Sequence, residues 1–545
     1  MLVALLTRPA ISEPWRPQDW YEHLWYVLHQ EGSLRANGFP SLFVYNDAAV
    51  FNPHYAFYGG TLYALTGTLA LVLGSAKAAF AVLWVSAFLG ACGGWFWLSR
   101  SAGVGPWLAH VPGVLFVTSP YYLNMVYGTG AWAELIAVST IPLLLASALS
   151  ILRSDRLRPW PALAFVATSV LFTGSHNITL LWGSTVLLIV LTASYAAVAS
   201  ARRLVTRAGA VRLFGLFAPA LLVNAWFLLP DIAYQSMTAV ANLPKSATLL
   251  WAAPLVEPRH LFSLERTALQ PRFFVVALPV VAMAWVATGM VIGGQGWRSD
   301  WFRVVLILVA AIVGLVILMT NVGLILALPG PFGALQFGYR LEAYILLGVS
   351  AAAVGVLRLL NSAGRRHSVW QWAAVPVVIV SVMQALGQTH PSHEPSYTAG
   401  DAVSVRPYHT NVAWVSESDY TGVRLPELPA GNVMLAFSAS AERGERASIT
   451  VPMQPGQRFV TNAMIMPQLV HIDGARILGR HSSGRAIVQI ADDATPGAAQ
   501  LTIRAANPWP VALGRVLSFA GLLGLLANVI AVMLVRRRRN THPAP

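Results

Sequence analysis

The stretch "SPYYLNMVYGTGAWAELIAVSTIPLLL" (residues 119–145) opens on two tyrosines and turns through Gly128 and Gly130. It then runs on as an apolar segment with one acid, Glu134, near its start. A long uncharged run entered through an aromatic, glycine-containing turn is the pattern of a bilayer-crossing helix and its interfacial mouth. The reading extends outward in both directions. Apolar blocks of about twenty residues recur along most of the chain, and we read spans near 77–99, 106–119, 132–152, 159–174, 178–200, 211–229, 273–293, 301–320, 339–360, 369–388 and 511–535.

Composition agrees with the blocks. Of the 545 residues, 56% are hydrophobic and 11% charged, with a mean hydropathy of +0.59. A soluble domain carries about 25% charged residues. Nineteen Trp and sixteen Tyr suit the belts that aromatic residues form at a membrane surface. The net charge of +14 does not argue for nucleic acid, because much of it sits in short loops beside apolar segments. The one cysteine, Cys92, lies in an apolar run, which excludes an internal disulfide and a thiolate metal cluster.

Basic residues set the orientation. Arg100, then Arg153, Arg156 and Arg158, then Arg202, Arg203 and Arg207, then Arg298 and Arg303, then Arg365 and Arg366, and last Arg536 to Arg539 fall on alternate loops. Those loops are expected in the cytoplasm, and loops 19–76, 120–131, 175–177, 230–272, 321–338 and 389–510 on the other side. The apolar stretch 55–74, with four glycines, would break the alternation if it crossed, so it reads as juxtamembrane or re-entrant. Eleven crossings with a cytoplasmic C-terminus put Met1 outside, which is the expectation for a sequence lacking an upstream first helix.

Residues 389–510 change character. "LVHIDGARILG" (469–479) and "RAIVQIADDATPGAAQLTIRAANP" (485–508) alternate with period two between Gly and Asp turns. The expected architecture is an all-α polytopic membrane protein with a small β-rich domain before its last helix. Its parts are a transmembrane domain over 1–388 with an outer loop at 19–76, the β domain over 389–510, a final span at 511–535 and a basic tail at 536–545.

Polar groups gather at expected outer ends. "DWYEHLWYV" (19–27) carries Asp19, Glu22 and His23, and on a short helix 19 and 23 share a face. "FNPHYAFYGG" adds His54, the 119–145 stretch adds Tyr122, Asn124 and Glu134, and "TGSHNITLL" (173–181) adds His176 and Asn177. "LQFGYRLEAY" (335–344) adds Gln336, Tyr339, Arg340 and Glu342. Ionisable groups near hydrocarbon cost a few kcal/mol unless paired or wet, at about 2.5–3.5 kcal/mol each. Together they point to a shared wet cavity, although any one of them can be a solvated cap, and Arg340 alone can be a partner of Glu342. Asp19, His23 and His54 leave a divalent metal open as a weak signal. No phosphate-binding Gly-Lys loop, HExxH or GxSxG is present.

These segments resemble the bacterial membrane family labelled 6-pyruvoyl-tetrahydropterin synthase-related, close to the YfhO-like proteins, both similar to members of the GT-C glycosyltransferase superfamily. The resemblance rests on 119–145 and 335–344 above all. It is supported by "GFPSLFVYN", "FNPHYAFYGGTLYAL", "NAWFLLPDIAY" (224–234) and "LTIRAANPWPVALGRVLSFAGLLGLL". Gly338 stands where the family more often has proline. The resemblance implies an inverting transferase that takes a sugar from a polyprenyl-phosphate donor outside the cytoplasm. Its acceptor would be a glycan, lipid or protein of the cell envelope. It implies Asp19 as general base or metal-associated carboxylate, Glu134 as a second catalytic acid, and Arg340 as a clamp on phosphate. The remaining polar residues named above would bind substrate. The alternatives are a non-catalytic relative, a lipid-linked glycan transporter, or an assembly protein presenting the β domain. A transporter predicts paired repeats and charges near the midplane, whereas the polar groups here cluster at span ends.

The topology is open to test. With Cys92 replaced, a cysteine at position 31 is expected to react with an impermeant maleimide in intact cells, and one placed after Arg539 only after lysis. Labelling of position 31 only after lysis would reverse the orientation.

Overall fold

The computed structural model describes residues 1–12, 20–44, 51–154, 156–237, 287, 299–330, 332, 335, 338–362, 372–389, 433–435, 446–464, 469–480, 485–492 and 497–541. In chain order the helices are α1 (Leu2–Ser12), α2 (Trp20–Asn37), α3 (His54–Phe57), α4 (Gly60–Leu73), α5 (Ala76–Ser101), α6 (Val111–Val117), α7 (Pro120–Tyr127), α8 (Trp132–Arg153) and α9 (Pro159–Ser175). They continue with α10 (Asn177–Ala197), α11 (Ala199–Leu204), α12 (Arg207–Leu222), α13 (Ala225–Tyr234), α14 (Asp300–Thr320), α15 (Val322–Ala327), α16 (Glu342–Ser362), α17 (Ala374–Gln388) and α18 (Trp509–Thr541).

Among the described residues, six helices are long and apolar enough to cross a membrane: α5, α8, α10, α14, α16 with the 3-10 turn before it, and α18. The bent pair α12–α13 makes a seventh if it is one span. The expected span at 273–293 lies outside the described residues except for residue 287. The one expected near 106–119 is a 3-10 turn followed by the seven-residue α6. Its apolar run is interrupted at Ser119–Pro120, where Ser119 caps α7 through its side chain and Pro120 takes the first helical position. At fourteen residues α4 is about 21 Å long, short of the ~30 Å hydrocarbon thickness.

Two ends of the bundle differ in chemistry. At one, arginines donate to carbonyls where helices end. Arg153 Nη1 reaches Ser101 O at 2.5 Å, Arg212 Nη1 reaches Ser154 O at 2.6 Å, and Arg303 Nη1 reaches Ala197 O at 3.2 Å. The last carbonyls of a helix lack intrahelical donors, so a guanidinium there satisfies them. The opposite end holds the polar residues of the candidate site.

Close packing between spans depends on missing side chains. A Cβ on Gly94 of α5 would fall within 3 Å of the Pro142–Leu143 backbone of α8, so the two helices touch backbone to backbone. At the other face α12 and α13 meet at 72°. Asn224 fills that corner, donating to Val170 O at 3.0 Å and to Thr173 Oγ1 at 2.5 Å. The Trp226 N–H at the bend finds Ser518 Oγ of α18 at 2.8 Å. Gly514 and Gly521, on the same face of α18 as Ser518, let that helix approach the bend.

The β region contains β1 (Val433–Leu435), β2 (Arg446–Met453), β3 (Arg458–Met464), β4 (Val470–Asp473), β5 (Ala475–Arg480), β6 (Arg485–Ile490) and β7 (Gly497–Ala505). They form two sheets, ordered β1-β3-β6-β5 and β2-β7-β4. All described pairings are antiparallel except β1 with β3. Gly474, at φ +87°, lets the chain leave β4 in one sheet and enter β5 in the other. The shared apolar core takes Ile472, Leu501 and Ile503 from one sheet and Phe459, Val488 and Ile490 from the other. It continues into Phe43, Phe51 and Phe57 and into Phe227 of α13. The β region therefore packs on the polar end of the bundle.

Gly94→Leu should lower stability by about 1–3 kcal/mol, the usual cost of overpacking. Gly93→Leu, whose Cβ meets nothing within 4 Å, should leave it nearly unchanged. Thermal unfolding in detergent compares the two, and equal melting points would mean that the α5–α8 contact is not close-packed.

Candidate functional site

The site is built around an ion pair. Glu134 lies in the first turn of α8, where a helix N-terminus favours an acid. Its Oε1 accepts from the Tyr121 hydroxyl of α7 at 2.6 Å, and its Oε2 lies 3.5 Å from Arg340 Nε. The side chains are 4% and 17% exposed. Arg340 sits in the 3-10 turn Gly338–Leu341 that leads into α16, with the Tyr339 ring 6.3 Å from that of Tyr121.

Beside the pair lies a layer of imidazoles and phenols. His23 of α2 places Nδ1 2.5 Å from the Tyr63 hydroxyl of α4, with its ring 6.1 Å from Tyr58 and from Trp132. His54 stacks on Tyr26 at 4.1 Å, and His29 lies against Trp25 at 5.1 Å. Burial pushes His23, His29 and His54 down to about 3, so they are neutral at physiological pH. Among the described residues, His23 Nε2, both ring nitrogens of His54 and Trp132 Nε1 are buried with no hydrogen-bond partner. Buried polar atoms are normally paired, so these nitrogens carry a desolvation cost that the fold tolerates here.

The hairpin between α9 and α10 joins the two halves. His176 caps α10, with Nδ1 accepting from the Thr179 amide and lying 2.7 Å from Thr179 Oγ1. That use of Nδ1 assigns the proton to Nε2. Burial first, then the Arg340 charge, hold this imidazole well below its ordinary range. Its ring meets Tyr58 edge-on at 5.5 Å. The next residue, Asn177, donates through Nδ2 to Phe57 O at 3.0 Å and to Asp231 Oδ2 of α13 at 2.7 Å.

The structure thus brings together Glu134, Arg340, Tyr339, His23, His54, His176 and Asn177 from segments far apart in the chain. Asp19 and Gln336 lie outside the described residues, and Glu22 falls on α2. Two further residues of the expected set stand apart from this cluster. Tyr122 does not line the site, because its hydroxyl is 2.6 Å from Ser139 Oγ and its ring packs between Phe88 and Phe116. Tyr121 takes its place. Asn124 closes α7, its carbonyl accepting from the amides of Gly128 and Thr129, and contributes no side-chain contact to the cluster. Glu134 lies between Arg340 and Tyr121, one carboxylate oxygen toward each. It, and not Glu342 alone, answers the charge of Arg340. His23 and His54 supply two imidazoles toward a metal, but among the described residues no three His, Cys, Asp or Glu side chains come together as a site would need.

Sequence reasoning passed over Tyr58, Tyr63, Tyr121 and Asp231. Asp231 had a signal available, since it is the lone charged residue in the apolar "NAWFLLPDIAY".

No family model and no curated protein matches the chain. A crystal structure of ArnT from Cupriavidus metallidurans bound to undecaprenyl phosphate is similar over 91% of this chain and 98% of that one, with 13% identity and a TM-score of 0.30. A likeness of that size carries no argument about fold or activity.

The neutral imidazoles make stability depend on pH. A histidine near 6.5 when unfolded and held at about 3 when folded contributes fully above about 6.5 and loses that contribution as pH falls toward 3. Each costs about 1.4 kcal/mol per pH unit across that window. The melting temperature in detergent should fall steadily from pH 6.5 to 4, and His54→Phe, which removes one of the four lowered imidazoles, should flatten the fall by about a quarter. A flat wild-type profile would mean that the imidazoles are hydrated and free to charge.

Proposed function

We propose that the chain is an integral membrane glycosyltransferase of the GT-C kind. It would take a sugar from a polyprenyl-phosphate donor and pass it, on the extracytoplasmic side, to a glycan, lipid or protein of the cell envelope. The observation that carries this reading is the largely buried Arg340, held by Glu134 at the end of a span and flanked by neutral imidazoles. A lipid phosphate needs its chain in the bilayer and its head at such a place. A guanidinium offers a planar fork of donors to phosphate, where lysine offers a point charge. The His176 Nε2–H adds a donor without adding charge. The resemblance of 119–145 and 335–344 supports the same reading, and gives Asp19 the part of general base or metal-associated carboxylate.

Transfer requires a carboxylate to take the proton of the acceptor hydroxyl as its oxygen attacks the anomeric carbon. It requires a cation as the bond to phosphate breaks and that oxygen gathers charge. Transport through the bundle would ask for charges along the spans. The charged side chains described on the spans gather at their ends.

Cells lacking the chain should accumulate one polyprenyl-phosphate sugar and carry an envelope glycan short of one residue, read by mass spectrometry of lipids and glycans. An unchanged lipid pool would remove the transferase reading. Arg340→Lys should weaken donor use and Arg340→Ala more so. Loss of a charge-assisted contact of about 1.5–3 kcal/mol corresponds to roughly ten- to hundred-fold. Normal kinetics in both, or a loss that follows unfolding alone, would leave Arg340 a structural residue paired with Glu134.

A further inference from the structure

The polar end holds a second carboxylate that the reading above does not use. Asp231 stands on α13, the segment that the 72° bend swings away from the line of α12. The bend is fixed from three sides, by Asn224, by Ser518 and by the close approach of α18 at Gly514 and Gly521. The position of Asp231 is therefore built into the fold.

Its surroundings contrast with those of Glu134. Glu134 is buried, with one oxygen on a phenol and the other on a guanidinium. Asp231 is partly exposed, and its one hydrogen bond among the described residues runs from Asn177 Nδ2 to Oδ2 at 2.7 Å. Among the described residues no donor reaches Oδ1. Asn177 itself is anchored, since its second N–H is on Phe57 O. The amide cannot be turned over without placing its carbonyl against two acceptors. The ionisable residues on the other elements packed against α13 are His54 and Tyr55 of α3 and, on α18, Arg515 near its start and Arg536 to Arg539 at its far end.

The position relative to Arg340 follows from the hairpin. Residues 176 and 177 grip residues 57 and 58 side by side: His176 meets the Tyr58 ring, and Asn177 holds the Phe57 carbonyl. Arg340 is on the His176 side, close enough for its charge to act on that imidazole. Asp231 is on the Asn177 side.

We propose that Asp231 is the carboxylate that receives the acceptor's hydroxyl proton, and that Asn177 is the positioning residue that aims it. The inference rests on the transferase reading. The acceptor oxygen bonds to the anomeric carbon as the carbon–oxygen bond to the donor phosphate breaks. The electron pair of that bond leaves with the phosphate toward the Arg340 side, and the hydroxyl proton goes to Asp231. Asp19 then keeps the other part that the resemblance offers it, that of a metal-associated carboxylate.

The test uses membranes carrying the full chain and, as donor, the polyprenyl-phosphate lipid fraction extracted from cells that lack it. Asp231→Asn should cut turnover by about a hundred-fold or more while the apparent donor KM stays within a few-fold, and added formate should restore part of the rate to Asp231→Ala. Asn177→Ala leaves the acid in place but removes the donor that favours its charged form, so the acid limb of the turnover–pH profile should move to higher pH. Wild-type turnover in Asp231→Asn overturns the assignment and leaves the transferase reading standing. Should that variant fail to fold, an unmoved acid limb in Asn177→Ala overturns it equally. A wild-type chain that transfers nothing from the extract removes the transferase reading and this inference together.

Discussion

A guanidinium and a carboxylate held out of water cannot do without each other. Removing one partner of a buried pair costs about 3–5 kcal/mol, because the other is left charged and unpaired. Arg340 and Glu134 meet at 3.5 Å with little exposure, and they belong to helices separated by most of the bundle in sequence. Their contact obliges the turn before α16 to lie against the mouth of α8. Tyr121 then has to cross from α7 to fill the remaining lone pairs of Glu134. The tyrosine and histidine layer packs around that fixed point through Tyr339, Tyr58 and His176.

The opposite end of the bundle solves a different problem. There the arginines use their donors on carbonyls that helix ends leave unsatisfied. One residue type thus caps helix ends at one end and forms an ion pair at the other. What separates the two uses is burial, which makes charge costly at the polar end alone. It also explains the histidines. Three imidazoles in an apolar layer remain neutral because the charged form is denied water. They can donate and accept hydrogen bonds there without competing with Arg340 for an anion.

Much of this was legible in the residues themselves. The spans follow from uninterrupted apolar runs, and α5, α8, α10, α14, α16 and α18 coincide with expected segments because nothing in those runs breaks a helix before it is long enough. The strands around Gly474 were legible from alternation. Their division between two sheets was not, since period two marks a strand and says nothing of its neighbour. The run near 106–119 misled because hydropathy does not register the Ser119–Pro120 stop. At the site, residue types were legible and partners were not. Tyr121 and Tyr122 are adjacent and chemically identical, and only the rotation of α7 decides that one faces Glu134 and the other Ser139. Arg340 has Glu342 two residues away in sequence, yet a carboxylate two hundred residues earlier is its ion-pair partner.

Asp231 shows why such partners escape a linear reading. A single acid in "NAWFLLPDIAY" would be costly on a straight lipid-facing helix. The bend at Val223–Asn224 removes that cost by turning α13 out of the line of α12 and laying it against α3 and α18. The bend in turn leaves the Trp226 amide without an intrahelical acceptor, and Ser518 supplies one from a helix almost three hundred residues later. The β region lies between them in the chain and packs on the same end of the bundle through Phe227. The acid on α13 thus sits on a bend over which α18 and the β region pack. The last third of the chain is therefore part of what holds the polar end in shape.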